Sequence, residues 1–219
     1  MISRRQFGKF AGALFVSSGL PRVAAARQRE RITVVGIGGA GCNIVERLRS
    51  RTQSGHDVVR YTVNRVGSGR ESDADLELAT GCCAVPPPFG YGFYAGAAST
   101  LSSQDAERVR AAVAGSRQVI LVSGMGGVTG TSLTPLFAQA AKTAGAEVGA
   151  VLTLPFEFEG HRVASARVGT ARVAEIADRM VLLDNNKLLN EVGEDVTMTE
   201  ALRWIDGHAI RAIASFIWP

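Results

Sequence analysis

Cysteine and histidine are scarce in this 219-residue chain, with three of each. Cys42, Cys82 and Cys83 form no C-x-x-C pair, and His56, His161 and His208 do not cluster with them. A structural zinc site needs four such ligands at short spacings, so a zinc module is excluded. The odd cysteine count argues against a full disulfide framework and leaves three free thiols as the simplest reading. Aromatic residues make up only 6% of the chain, and no basic stripe is interleaved with them. Nucleic acid is therefore a poor partner. No internal repeat is present, and no Ser-His-Asp, Cys-His or paired-carboxylate arrangement stands out, so no catalytic residue is assigned. A long apolar run is missing as well. The uncharged stretch from Phe10 to Leu20 falls short of the roughly 20 residues that a membrane-spanning helix needs.

The net charge of +4 is unevenly placed. Residues 1–26 hold Arg4, Arg5, Lys9 and Arg22 and no acid; without these four bases the count is 20 basic against 20 acidic side chains. Ser3-Arg4-Arg5-Gln6-Phe7-Gly8-Lys9 resembles the twin-arginine export consensus S-R-R-x-F-L-K, departing from it only at Gly8. The apolar run follows, and Ala24-Ala25-Ala26 offers a small-x-small cleavage pattern. Charge, apolar run and cleavage site come in the order of an export signal. The expected organisation is a signal peptide over 1–26 and one domain over 27–219. The expected location is periplasmic or membrane-anchored, with membrane contact only through an uncleaved leader.

Strands and helices alternate along the rest. Arg31 to Val35 reads as a buried strand, 42–52 as a helix, and Val58 to Val63 as a second strand. Residues 66–98, with Pro86-Pro87-Pro88, read as a long loop of the kind that lines sites. A helix over Ser103 to Ala114 can be capped by Ser102 or Ser103. Then come a strand over Gln118 to Val122, a helix over Leu133 to Ala144 and a strand over Val148 to Leu154. A helix over 162–178, a strand over Met180 to Leu183 and a helix over Thr199 to Ile217 complete the pattern. This alternation predicts an α/β fold, a three-layer, doubly wound parallel sheet.

Two glycine-rich segments join strands to helices. Gly36-Ile37-Gly38-Gly39-Ala40-Gly41-Cys42-Asn43 is compatible with a phosphate loop at a helix N-terminus, and equally with the G-x-G-x-x-G of an NAD-binding Rossmann domain. The second segment, Gly124-Met125-Gly126-Gly127-Val128-Thr129-Gly130-Thr131-Ser132, has Gly, Ser or Thr at seven of nine positions. A dinucleotide fold does not need it, whereas a polyphosphate held from both sides does. In the second case the two segments must lie side by side.

The second segment resembles the G-G-G-T-G-[ST]-G signature of the tubulin/FtsZ family, and the first resembles that family's G-G-G-G-G-N. Thr153-Leu154-Pro155-Phe156-Glu157-Phe158-Glu159-Gly160 is similar to FtsZ's T-K-P-F-x-F-E-G, and Leu183-Asp184-Asn185-Asn186-Lys187-Leu188-Leu189 to I-P-N-D-K-L-L. The resemblance implies a tubulin/FtsZ-type nucleotide-binding domain for GTP or GDP, with Mg as an optional companion, and a link to cell division. It implies phosphate contacts from Gly38, Gly39, Ala40, Gly41, Cys42 and Asn43, and from Gly126, Gly127, Val128, Thr129, Gly130 and Thr131. Glu159 takes the ribose-contacting position and Arg162 falls near a nucleotide-contacting arginine. Asn185 matches a base- or ribose-contacting Asn, and Asp206 the acid that reads guanine. FtsZ-like subunits, or a second copy of the chain, are the implied protein partners.

Departures from the family pattern temper this. Val128 stands at a signature glycine, and its Cβ disfavours a positive φ. Asn64-Arg65 stands where the family has Asn-Thr-Asp. The sequence stops at Trp218-Pro219, before the loop whose acids activate water in a neighbouring subunit's site. By resemblance, such a subunit binds GTP but is deficient in hydrolysis and polymerisation. A degenerate interaction module and an NAD-type Rossmann domain are the alternatives. A reporter fused behind residues 1–26 is expected to be exported, and to lose export when Arg4→Lys and Arg5→Lys are combined. Fractionation that finds the double variant still exported would remove the twin-arginine reading.

Overall fold

The computed structural model describes residues 31–49, 57–65, 75–78, 80–81, 100–192 and 196–217. The leader, Cys82, Cys83, Pro86-Pro87-Pro88 and most of the segment 66–98 lie outside these residues. β1 (Ile32–Ile37) leads into α1 (Gly38–Arg49), then β2 (Val58–Arg65) and β3 (Leu76–Leu78). Two short strands, β4 (Thr80–Gly81) and β5 (Thr100–Leu101), precede α2 (Ser103–Val113) and β6 (Gln118–Gly124). The order continues with α3 (Val128–Thr143), β7 (Glu147–Leu154), α4 (His161–Ala174), β8 (Arg179–Asp184), α5 (Asn185–Val192) and α6 (Met198–Ile217).

Six strands form one sheet in the order β3-β2-β1-β6-β7-β8, parallel throughout. The chain runs outward from β1 to one edge, returns to β6 beside β1, and proceeds to the other edge. The reversal falls between β1 and β6. Ligands of open α/β sheets bind at such a switch point, beyond the carboxyl ends of the strands.

The three expected layers are present, and side-chain alternation builds them. In β1, Val35 and Ile37 enter one core with Val109 and Val113 of α2 and Leu133 and Phe137 of α3. Ile32 and Val34 face the other way, into Ile44, Val45 and Leu48 of α1 and Ile213 and Phe216 of α6. That is the two-residue period of a strand covered on both faces. On α6 the buried residues Ala201, Ile205, Ala209 and Ile213 recur every fourth position, a single helical stripe. On α4, Ala166 and Val173 extend the cover over Leu152 of β7.

Several boundaries differ from the sequence expectation, each for a local reason. α3 starts at Val128 rather than Leu133, so the latter part of the second glycine segment, residues 128–132, forms its start. The Ser132 hydroxyl donates to the Val128 carbonyl and the Thr134 hydroxyl to the Gly130 carbonyl, both at 2.6 Å. Residues that favour turns thus bond back along the helix. α4 stops at Ala174, not 178. Asp178 instead pairs with Lys142 at the end of α3 and accepts the Val148 N–H at 2.8 Å. Those contacts, the Lys142 hydrogen bond first, hold the Asp178 carboxyl below its ordinary range. β3 lies within the segment read as loop, and α5 replaces a stretch given no element. Phe137 is fully buried. Phe137→Ala is expected to lower unfolding stability by about 3–5 kcal/mol, read as a shift of the urea midpoint.

Candidate functional site

Ile37 pairs in register with Ser123, so the glycine segments that leave β1 and β6 emerge together. Gly38 turns the chain at φ +73°, a conformation that side chains with a Cβ rarely adopt. A Cβ placed on Gly38 would lie 3.4 Å from the Gly130 nitrogen and 3.5 Å from the Thr129 Cβ. One on Gly124 would meet the Ala40 Cβ at 2.9 Å. At Gly130 a Cβ would come within 2.2 Å of the Gly124 carbonyl oxygen, so α3 starts this close to β6 only with glycine there. The N-termini of α1 and α3 therefore converge on one point.

The second segment is braced from within. The Gly126 N–H donates to the Thr131 hydroxyl at 2.9 Å, and the Thr131 N–H donates to the Gly127 carbonyl at 3.0 Å. The amides of Val128, Thr129 and Gly130 precede that first helical bond and have no carbonyl four residues back within the helix. They stand at the positive end of the helix dipole. Val128 shows no strain: among the described residues no non-glycine φ is positive. The constraint expected from its Cβ falls on the cavity, which its side chain lines, and not on the backbone.

The cavity has a volume of about 710 Å³. Gly38, Gly39 and Ala40 form one side of it and Gly127, Val128, Thr129 and Gly130 the next. The segment after β7 and the start of α6 close the rest. Glu159 accepts the Phe156 N–H at 2.9 Å through one oxygen and pairs with Arg162 through the other. Asn185, the first residue of α5, is only 8% exposed, and its side-chain oxygen is buried without a hydrogen-bond partner. Its neighbour Asn186 accepts the Glu157 N–H at 2.9 Å and donates to Asp184 through both its backbone and its side-chain N–H. These bonds fix the start of α5 against the wall of the cavity. The Asn185 oxygen is one of several buried polar atoms without a hydrogen-bond partner among the described residues, while Asn185 itself lines the cavity. The volume lies within the usual range for small-molecule sites.

The model for the tubulin/FtsZ family GTPase domain matches residues 89–193. Cell division protein FtsZ of Neisseria meningitidis is 32% identical over 184 residues, covering 84% of this chain and 46% of that protein. Cell division protein FtsZ of Coxiella burnetii is 34% identical over 198 residues, covering 87% and 50%. The solved structure of an empty FtsZ dimer from M. jannaschii superposes with a TM-score of 0.66 at 29% identity, covering 86% of this chain and 54% of that one. The chain belongs to the tubulin/FtsZ family.

The FtsZ-like chain spans about half the length of the curated relatives it matches. A TubZ of Bacillus thuringiensis serovar israelensis, at 12% identity and a TM-score of 0.57, shares the fold alone. Strand order would not have separated this domain from a dinucleotide-binding one, because both run 3-2-1-4-5-6 when only the main sheet is counted. The second glycine segment lying against the first separates them.

Not every site residue named from the sequence lines the cavity. Gly41 and Cys42 lie beneath the first segment, with the Cys42 thiol donating to the Gly36 and Val63 carbonyls at 3.7 and 3.6 Å. Asn43 is on the exposed side of α1. Gly126 and Thr131 shape the second segment from below. Asp206 lies outside the lining and pairs with Arg47 of α1 at 3.3 Å. Burial raises the Asp206 carboxyl above its ordinary range, and Arg47 draws it part of the way back. The sequence reading missed Phe158, Met198 and Leu202, which line the cavity while 69%, 48% and 44% exposed. Met198 and Leu202 sit four apart at the head of an amphipathic helix, a spacing that reads equally as core.

Thr131→Val leaves the Gly126 N–H without its acceptor while keeping the side-chain shape. It is expected to lower unfolding stability by about 1–3 kcal/mol, and Thr131→Ser to recover most of that in the same urea titration.

Proposed function

We propose that this FtsZ-like domain binds GTP or GDP, with the phosphates held between the N-termini of α1 and α3. The observation that carries the reading is the approach of Gly38 to Gly130 and Thr129, close enough that a Cβ on Gly38 would touch both, which sets two groups of helix-terminal amides side by side, as an anion site requires. Glu159 and Asn185 are then placed for the nucleoside, and Arg162 for the rim. A Mg ion that accompanies the nucleotide would be held by phosphate oxygens and water, since Mg keeps several waters and takes few protein carboxylates. Hydrolysis by this chain alone is expected to be slow. The one carboxylate among the described lining residues is Glu159, which is engaged by Arg162 and the Phe156 N–H. Because one similar structure is an FtsZ dimer, the proposed protein partner is an FtsZ-like subunit or a second copy. The arginine pair and apolar run of the leader support export as the route of delivery.

Protein purified under native conditions is expected to carry guanine nucleotide, or to bind mant-GDP near one equivalent after stripping, with phosphate release from GTP close to background. No guanine nucleotide at isolation and no mant-GDP binding at high micromolar concentration would sink the nucleotide reading. That result would leave a degenerate interaction module.

A further inference from the structure

The sheet has two edges, and they are finished differently. β3 is three residues long and is closed by side chains. The Asp75 carboxylate takes the Thr62 N–H at 2.8 Å, and the Arg108 guanidinium donates to the Glu77 carbonyl at 2.6 Å. A short strand with charged residues and occupied backbone groups resists pairing with a further strand.

β8, at the other edge, has no such finish. It runs for six residues, and its middle four are Met180, Val181, Leu182 and Leu183, without a Pro, a Gly or a charge. Among the described residues, nothing beyond β7 bonds to its backbone. Val181 and Leu183 pack under α6, and Met180 against the core beneath α4. Leu182 is 44% exposed. On the opposite face of the sheet, Trp204 of α6 is 45% exposed. It lies about 160° around the helix from Asp206, which reaches Arg47 of α1. Because α1 packs on β1 and β2 and α6 on β7 and β8, the flank of α6 that carries Trp204 is the one on the β8 side. A bare apolar edge with such a flank is a template for one more strand.

We infer that β8 is a two-fold interface, pairing antiparallel with β8 of a second copy of this chain to make one sheet continuous through both. The strand is its own complement. A two-fold axis along the sheet normal keeps each face on its own side, so every residue meets one of the same face, and each contact occurs twice. Centred on Leu182, the pairing sets the two exposed leucines against each other and Val181 against Leu183 of the second copy, all aliphatic cross-strand pairs. It also brings the Arg179 end of each strand to the Asp184 end of the other, whereas a parallel strand would set like charges together. A stable interface buries about 1,200–2,000 Å² in total, of which a six-residue edge and the Trp204 flanks supply a part, so the dimer is reversible. This gives the second-copy partner proposed above a surface, and it is independent of nucleotide binding.

The test is sedimentation velocity of the full chain over about 1–100 μM, a range that brackets a micromolar dissociation constant, with and without GDP. A monomer–dimer equilibrium that GDP leaves unchanged is expected. Leu182→Lys is expected to weaken the dimer at least tenfold, with the urea midpoint reporting that the fold is intact. Val168→Lys, at a site 40% exposed on α4, is expected to leave it unchanged. In a chain carrying Cys82→Ser and Cys83→Ser, Leu182→Cys is expected to give a disulfide-linked dimer on mild oxidation, since opposed β-carbons lie about 4.5–5.5 Å apart, and Val168→Cys is not. A chain that stays monomeric, assembly that grows past the dimer, or a dimer that Leu182→Lys leaves as tight and Leu182→Cys leaves unlinked would overturn the inference. None of these results bears on the nucleotide reading, which the mant-GDP titration decides by itself.

Discussion

The structure depends on one steric condition, that two chain segments without bulky side chains meet at the carboxyl ends of β1 and β6. Gly130 lies so close to the Gly124 carbonyl that a methyl group would overlap it at 2.2 Å, and the Gly38 turn brings α1 against the same place. A side chain at Gly130 would push α3 off β6, and one at Gly38 would strain the turn that begins α1, where φ is +73°. Everything else at the site is arranged around that meeting. The segment after β7 brings Glu159, the start of α5 brings Asn185, and the head of α6 brings Met198 and Leu202.

The sheet makes this meeting possible. Because the strand order reverses between β1 and β6, the helices that follow these two strands leave on opposite faces: α1 packs with α6, and α3 with α2. Their N-termini share the gap at the strand ends without competing for room. The same separation gives each face its own hydrophobic core, formed away from the crevice. The crevice is lined by backbone and small side chains at the glycine segments and by larger apolar side chains, Phe156, Phe158, Met198 and Leu202, together with a few polar groups.

The parts of the fold that follow a period were legible in the sequence. Val34 and Val35 announce a strand buried on both sides, and Ile205, Ala209 and Ile213 a helix with one inner stripe. The parts set by long-range bonds were not. Asp178 ends α4 early because Val148 and Lys142, about thirty or more positions away, hold it, and no local pattern shows that. Ser132 and Thr134 read as turn formers until their hydroxyls find carbonyls one helical turn back. At the site, the two glycine segments stand out because a close backbone approach restricts which residues can occur. Asp206 was legible as an acid on the right helix, but its direction depends on helical phase and on Arg47. Phe158, Met198 and Leu202 were hidden because apolar residues at helix and turn positions carry no mark of what they face.

The bond from the Gly126 amide to the Thr131 hydroxyl bears on binding thermodynamics. It sets the second glycine segment in place with the protein's own groups, and Ser132 and Thr134 fasten the first turn of α3 from behind. The conformational entropy of that cradle is lost when the chain folds, not when an anion arrives. An incoming phosphate then meets amides already aimed, and little of its interaction energy is spent on ordering the loop. Rigidity of this kind lets binding proceed without a loop-ordering step.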